Sequence, residues 1–180
     1  MSQHVRPETT RFGLGLVQGA VELVPHNPEW RRAFELEADT IRAALGNVLI
    51  DIEHIGSTSI PGIRSKPILD LMIGIGNLVA GPSLEPRMAA IGYDFAPNAG
   101  VPNDNVFGKG VARTHLAHVV EFDGPTWRHN LVFRDRLRAS TGLAQQYDTL
   151  KEELAVRFSN DRASYTSAKK SFIDQVVAGR

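Results

Sequence analysis

The 180-residue sequence contains no cysteine. That excludes a disulfide framework and a thiolate zinc site, so any metal must be bound by oxygen or imidazole. Net charge is also missing, because twenty basic side chains balance twenty acidic ones. A neutral balance argues against bulk electrostatic binding to nucleic acid or to a membrane surface, while leaving room for a local basic patch. No apolar run is long enough to cross a bilayer. The first ten residues are polar and lack the hydrophobic stretch of a secretion signal, so the expected location is the cytoplasm. There is no internal repeat, no low-complexity segment, no Walker A motif and no Rossmann fingerprint. What remains is an ordinary globular composition, 42% hydrophobic, 7% aromatic and 22% charged. The length suits one domain, or one domain with a helical appendage.

The informative stretch runs from Glu53 to Ile75. An apolar run ends in Gly56-Ser57-Thr58-Ser59, a polar loop carrying Lys66 follows, and a second apolar run, Ile68-Leu69-Asp70-Leu71-Met72-Ile73, holds one carboxylate. Glycine and serine leave backbone N–H groups open to an anion, and hydroxyls add donors. A lone aspartate among strand-like apolar residues is costly to bury unless it is paired, hydrogen-bonded or bound to a cation. A phosphate-binding turn beside such a carboxylate is the minimal equipment for handling a metal–nucleotide. The simpler readings are a plain polar turn, and an aspartate neutralised by Arg64 or Arg113.

Along the chain, residues 1–18 show no sustained period and read as a mobile arm. Val21 to Val24 reads as a short strand. Asn27 is placed to cap a helix with Pro28 at its first position, and the apolar spacing from Glu29 to Leu45 is helical until Gly46 stops it. Val48 to Ile55 and Pro67 to Ile75 read as strands, the second covered on both faces. A short helix over Leu84–Ile91, a strand at Gly92–Phe95 and a turn-rich stretch from Asn98 to Asn105 follow. A strand then begins at Val106-Phe107 and breaks at Gly108 and Gly110. Arg113 to Phe122 is a further strand. Past Gly124 the pattern becomes helical, over Thr126–Ala139, Leu143–Phe158 and Arg162–Val177. The organisation expected is therefore an arm (1–18), an α/β core (19–124) and a helical C-terminal segment packed on it (125–180).

Three more clusters bear on chemistry. Glu53 and His54 precede the Gly-Ser turn, and successive strand side chains point to opposite faces, so one of them joins Asp70. Glu53 is the candidate second metal ligand; the common fate of His54 is that of a satisfied core histidine. His115 and His118 differ by three and face opposite ways on a regular strand, so one faces the site, where it could ligate or transfer a proton, while Arg113 meets a phosphate. Lys66 could meet a triphosphate, the plainer alternative being a solvated lysine. Lys169-Lys170 and the series Arg134, Arg136 and Arg138 read as solvated helix faces.

Glu53-His54-Ile55-Gly56-Ser57-Thr58-Ser59-Ile60-Pro61-Gly62, followed by Lys66-Pro67-Ile68-Leu69-Asp70-Leu71, resembles the GrpB family. So do Val21-Glu22-Leu23-Val24-Pro25, Arg113-Thr114-His115-Leu116-Ala117-His118, Leu131-Val132-Phe133-Arg134-Asp135-Arg136-Leu137 and the tail around Tyr147 and Tyr165. The resemblance covers about Val21 to the C-terminus. It implies an α/β (α+β) nucleotidyltransferase-like fold, a small mixed sheet flanked by helices, with a Gly-Ser turn followed by acidic strand residues that hold Mg²⁺. It also implies that some relatives are fused to dephospho-CoA kinase. The superfamily pattern places a second acid two residues after the first; here that residue is Met72, a poor ligand for a hard cation. A two-metal mechanism needs bridging carboxylates, so Asp70 would have to recruit Glu53, Glu121 or a histidine.

The expectation is transfer of a nucleotidyl group from an NTP to a small-molecule or protein acceptor. Gly56, Ser57, Thr58, Ser59, Lys66 and Arg113 would bind the nucleotide phosphates. Asp70 and Glu53 would bind Mg²⁺ or Mn²⁺, and His115 or His118 would activate the acceptor. The alternative is a non-catalytic module that binds a nucleotide or other phosphorylated ligand with a degenerate metal site. Release of phosphate by metal-dependent hydrolysis is a third, weaker reading.

Overall fold

A computed structural model describes residues 12–77, 83–96 and 105–180. Its centre is a five-stranded mixed sheet. The strands are β1 (Leu49–Ile55), β2 (Leu69–Ile75), β3 (Tyr93–Phe95), β4 (Asn105–Lys109) and β5 (His115–Glu121), in the spatial order β1-β2-β5-β4-β3. Only β2 and β5 run parallel. The near-continuous apolar character of β2 follows from this position: it has neighbours on both edges and layers on both faces, and all its residues but Asp70 are buried.

The register assigns the faces. Ile52 and His54 of β1 stand opposite Ile73 and Leu71 of β2, while Glu53 and Ile55 stand opposite Met72 and Asp70. On the first face, Leu69, Leu71, Ile73, Ala117 and Val119 pack against Trp30, Ala33, Ile41 and Leu45 of α1 (Trp30–Leu45), with Met88 of α2 (Glu85–Ala89) beside them. Full burial of each large apolar side chain here is worth roughly 1.5–3 kcal/mol. On the second face, Ile55, Met72 and Val120 pack against Trp127 of α3 (Pro125–Ala139). A Cβ on Gly74 would come within 2.8 Å of the Trp127 ring, so the missing side chain is what lets α3 lie this close to the sheet.

Of three further helices, α4 (Thr141–Arg157) and α6 (Lys170–Ala178) pack with α3 and the loop after β1, and α5 (Arg162–Ala168) packs on α4, its Tyr165 against Leu154 and Val21. Leu137, Ala144, Tyr147 and Val176 enclose Ile60 and Ile63 of that loop.

Several boundaries differ from the sequence expectation. The final helix is two helices meeting at Lys169. Val21–Val24 is not a strand; Val24 makes one isolated bridge to Ser65. The expected arm is a packed segment from residue 14 on, with Leu14 and Leu16 buried and Leu16 bridged to Arg113. Its alternation of leucines with Gly13 and Gly15 conceals a strand-like period. α1 starts later than expected, at Trp30 with Glu29 as its cap residue and no side-chain cap hydrogen bond; Asn27 accepts from the Glu29 N–H at 3.0 Å in the turn before the helix rather than capping it. β4 continues through Gly108 before the chain turns at Gly110. Residues 1–11 of the expected arm, and residues 97–104 in the turn-rich stretch, lie outside the described residues.

Candidate functional site

β1 ends where the chain must reverse sharply, and Gly56 makes the reversal at φ 67° and ψ −177°, a conformation essentially reserved for glycine. A short 3₁₀ turn, Ser57–Ser59, follows. A Cβ on Gly56 would lie 2.4 Å from Oδ2 of Asp70, so the bend and the carboxylate touch. Asp70 keeps 30% side-chain exposure, and its Oδ1 lies 3.3 Å from Nε2 of His118 on the neighbouring strand. Burial pushes the Asp70 pKa up, but the His118 hydrogen bond and the charges of His118, Lys66 and Arg162 outweigh it and hold the carboxyl below its usual range.

The C-terminal helices bring further groups to this bend. Ser57 lies against the hydroxyl of Tyr147, whose pKa burial pushes up to about 12. Lys66 from the loop and Lys169 from the α5–α6 junction place their ammonium groups over the Tyr165 ring, 5.5 and 4.4 Å from its centroid. Burial pulls Lys66 down to about 7, with Arg162 and Lys169 repelling and Asp70 opposing. Burial also pulls Lys169 down to about 8, Asp70 opposing and Arg162 adding to the shift. None of Lys66, Arg162 and Lys169 forms an ion pair with a carboxylate among the described residues. Three half-buried basic groups, Lys66 among them close to half-protonated at neutral pH, therefore act on one partly open acid at a glycine bend.

The residues singled out from sequence divide. Gly56, Ser57, Lys66, Asp70 and His118 come together. Glu53 shares the face of Asp70, but its Oε2 accepts from Nη1 of Arg134 at 2.6 Å. Thr58 and Ser59 are buried: the Thr58 hydroxyl meets His54 at 3.0 Å and the Ser59 hydroxyl donates to the Gly56 carbonyl at 2.6 Å, so both hydroxyls serve the turn itself. His54 and His115 are on the other face. His54 stacks on Phe34 of α1, and burial lowers its pKa to about 3. His115 sits edge-on to Tyr93, and burial lowers its pKa to about 4. Arg113 corrects a second expectation, because Asp94 of β3 grips its guanidinium, Nη2 donating to Oδ2 at 2.6 Å. Glu121 pairs with Ile75 and so faces away from Asp70.

Several functional neighbours escaped the sequence reading. Arg134 is buried rather than solvated, and Arg138, though exposed as expected, also reaches the turn: Arg134 donates to the His54 carbonyl at 3.1 Å and Arg138 to the Ser59 carbonyl at 2.9 Å, so α3 braces both ends of the bend. Arg136 donates to the Val176 carbonyl and ties α3 to α6. Lys169 turns inward while Lys170, exposed, pairs with Asp174. A signal existed: Arg162, Tyr165 and Lys169 stand at i, i+3 and i+7, one stripe of a helix.

The GrpB protein family matches this sequence over residues 20–178. The chain belongs to the GrpB family. It is 35% identical over 170 residues to the glutamate-rich protein GrpB of Alkalihalophilus pseudofirmus, covering 91% of this chain and 98% of the relative. The crystal structure of the conserved protein GrpB from Enterococcus faecalis superposes with a TM-score of 0.79 at 30% identity, over 88% of this chain and 96% of that one. A structure of the Cid1 poly(U) polymerase with Mg 3′-dATP bound is a distant neighbour, with a TM-score of 0.50 and 15% identity over 80% of this chain and 49% of that one. The fold of this GrpB-family chain is thus nucleotidyltransferase-like.

That fold implies a divalent cation, and the side chains here test the implication. Met72 occupies the second-acid position and is fully buried, Glu53 is held by Arg134, and His118 holds one oxygen of Asp70. Among the described residues no group of three or more histidines, aspartates or glutamates could hold a metal. The donor set does not fit a bridged two-metal centre.

Proposed function

We propose that this cleft binds a nucleotide through its phosphate chain. The observation that carries the reading is the trio Lys66, Arg162 and Lys169, half-buried and in no ion pair among the described residues, with Lys66 and Lys169 over one Tyr165 ring and all three acting on Asp70 at the Gly56 bend. Three basic side chains share the single negative charge of Asp70, and a ligand that brings further negative charge relieves the imbalance. The Gly56-Ser57 backbone adds N–H donors, and Ser57 and Tyr147 add hydroxyls. Calorimetry with the four NTPs and the matching monophosphates, in buffer containing Mg²⁺, tests it. Saturable binding that strengthens with phosphate number is expected; no saturable binding of any of them overturns the reading.

The partly exposed Asp70 carboxylate, in contact with the bend on a nucleotidyltransferase-like fold, favours a second reading. In it the protein transfers a nucleotidyl group from an NTP to a small-molecule or protein acceptor, the acceptor oxygen or nitrogen bonding to the α-phosphorus as the α–β phosphoanhydride bond breaks and pyrophosphate leaves. Any Mg²⁺ or Mn²⁺ would be held mainly by the phosphates, with Asp70 its one carboxylate ligand. Positioning and charge neutralisation by Lys66, Arg162 and Lys169 would supply most of the catalysis, and His118 is the group beside Asp70 that could take the acceptor proton. Incubation with labelled NTPs, Mg²⁺ or Mn²⁺ and a metabolite pool tests it. Absence of turnover with all four NTPs removes this reading and leaves the binding reading standing.

A further inference from the structure

We propose that the phosphate chain is held in this cleft without a divalent cation, with Lys66, Arg162 and Lys169 supplying the neutralising charge that metal ions supply elsewhere on this fold. The inference rests on the nucleotide-phosphate reading above and deepens it. Asp70 is partly open, but Oδ1 already lies 3.3 Å from Nε2 of His118 and Oδ2 fills the space left by the missing Gly56 side chain. Its neighbour across the sheet, Glu53, is committed to Arg134, and Met72 offers only a buried thioether. A cation that demands several oxygen ligands finds, among the described residues, one uncommitted carboxylate at most here. The cationic side is the better built. Two ammonium groups share one buried aromatic ring, which fixes their positions before a ligand arrives, and Arg162 stands on the same helical stripe. The depressed pKa values of both lysines describe the same arrangement: positive groups crowded together and short of solvent, which an anion would relieve.

The role of Asp70 separates this inference from a metal-dependent site by sign. If a cation bridges Asp70 to the phosphates, Asp70→Asn weakens binding. If the lysines hold the phosphates directly, Asp70 repels the ligand, and Asp70→Asn leaves binding unchanged or tightens it several-fold. Asparagine keeps the shape and the hydrogen bond to His118, so the substitution isolates the charge.

The experiment is calorimetry with inorganic tripolyphosphate and with ATP, each in excess EDTA and each in Mg²⁺, on the wild-type chain and on Asp70→Asn, Lys169→Met and Lys170→Met. Thermal melts verify that each variant is folded. The expected result is binding in EDTA that Asp70→Asn does not weaken and that Lys169→Met weakens by about 10- to 100-fold, the effect of losing one charge-assisted hydrogen bond. Lys170→Met, one residue away but turned to solvent, is expected to change nothing. Binding seen only with Mg²⁺ and lost in Asp70→Asn overturns the inference and leaves the nucleotide reading intact. Binding in EDTA that Lys169→Met does not affect also overturns it. No binding of either probe under either condition overturns both.

Discussion

Gly56 joins two constraints at one residue. Its backbone needs positive φ with extended ψ, and its missing side chain leaves the room that Asp70 Oδ2 occupies. Gly56→Ala is therefore expected to cost about 1–3 kcal/mol for the backbone conformation alone, with the clash added, and to displace the carboxylate. A urea midpoint measures the first effect. The second should appear as impaired ATP binding in protein that remains folded at low temperature. Ser57 and Thr58, neighbours of the same type, differ in burial: Ser57 is half-buried beside the Tyr147 hydroxyl and Thr58 is buried against His54. Ser57→Ala leaves the buried Tyr147 hydroxyl, and Thr58→Val the His54 ring nitrogen, without a partner, so each should cost about 1–3 kcal/mol, while only Ser57→Ala should weaken nucleotide binding. Chemical denaturation measures the first effect and calorimetry with ATP on the folded variants distinguishes the roles.

At the scale of elements, the bend is held by α3. Arg134 reaches Glu53, Asp135 and the His54 carbonyl, and Arg138 reaches the Ser59 carbonyl. Arg134→Met keeps most of the stem's apolar volume and removes the donors. It leaves Glu53 without its cation and a buried carbonyl short of a donor, an expected loss of about 2–4 kcal/mol. Because Glu53 is partly exposed, Glu53→Gln should cost less than Arg134→Met, and a double-mutant cycle reads the coupling between them. The arginines of α3 looked like a solvated face because alternate charged residues on a helix usually are. The stripe that faces the bend is set by which strand end α3 crosses, a matter of packing. The strands, by contrast, were legible: β1, β2 and β5 announce themselves by β-branched and apolar runs, and the parity argument that parted Glu53 from His54 and His118 from His115 follows from strand geometry alone.

Across the whole molecule, one buried histidine, His54, and one half-buried, His115, on the α1–α2 face link stability to acidity. Burial holds His54 at about 3 and His115 at about 4, against an ordinary value near 6.5 in the unfolded chain. Above that value neither state binds the proton. As the pH falls below it, the unfolded chain takes up protons that the folded chain refuses, and stability declines until the folded-state values are reached. For the nearly inaccessible His54 the slope is about 1.4 kcal/mol per pH unit. Denaturant midpoints from pH 7 to pH 4 should fall steadily, and a folded His54→Gln variant should show a shallower fall. If the two profiles run parallel, His54 does not carry the effect.

Composition and local pattern determined that this is one α/β body with a helical C-terminal part, that a glycine bend follows its first core strand, and that a lone acid stands on the second. Those features depend on the residues themselves: periodicity, turn chemistry and the cost of a buried charge act over a few positions. Only the tertiary structure decided who meets that acid. Arg113 lay nearer in sequence than Lys169 yet pairs with Asp94, and Lys169 arrives at the cleft from the far end of the chain. Which cations gather at a site depends on how helices cross a sheet, and such contacts leave no short-range mark in the sequence.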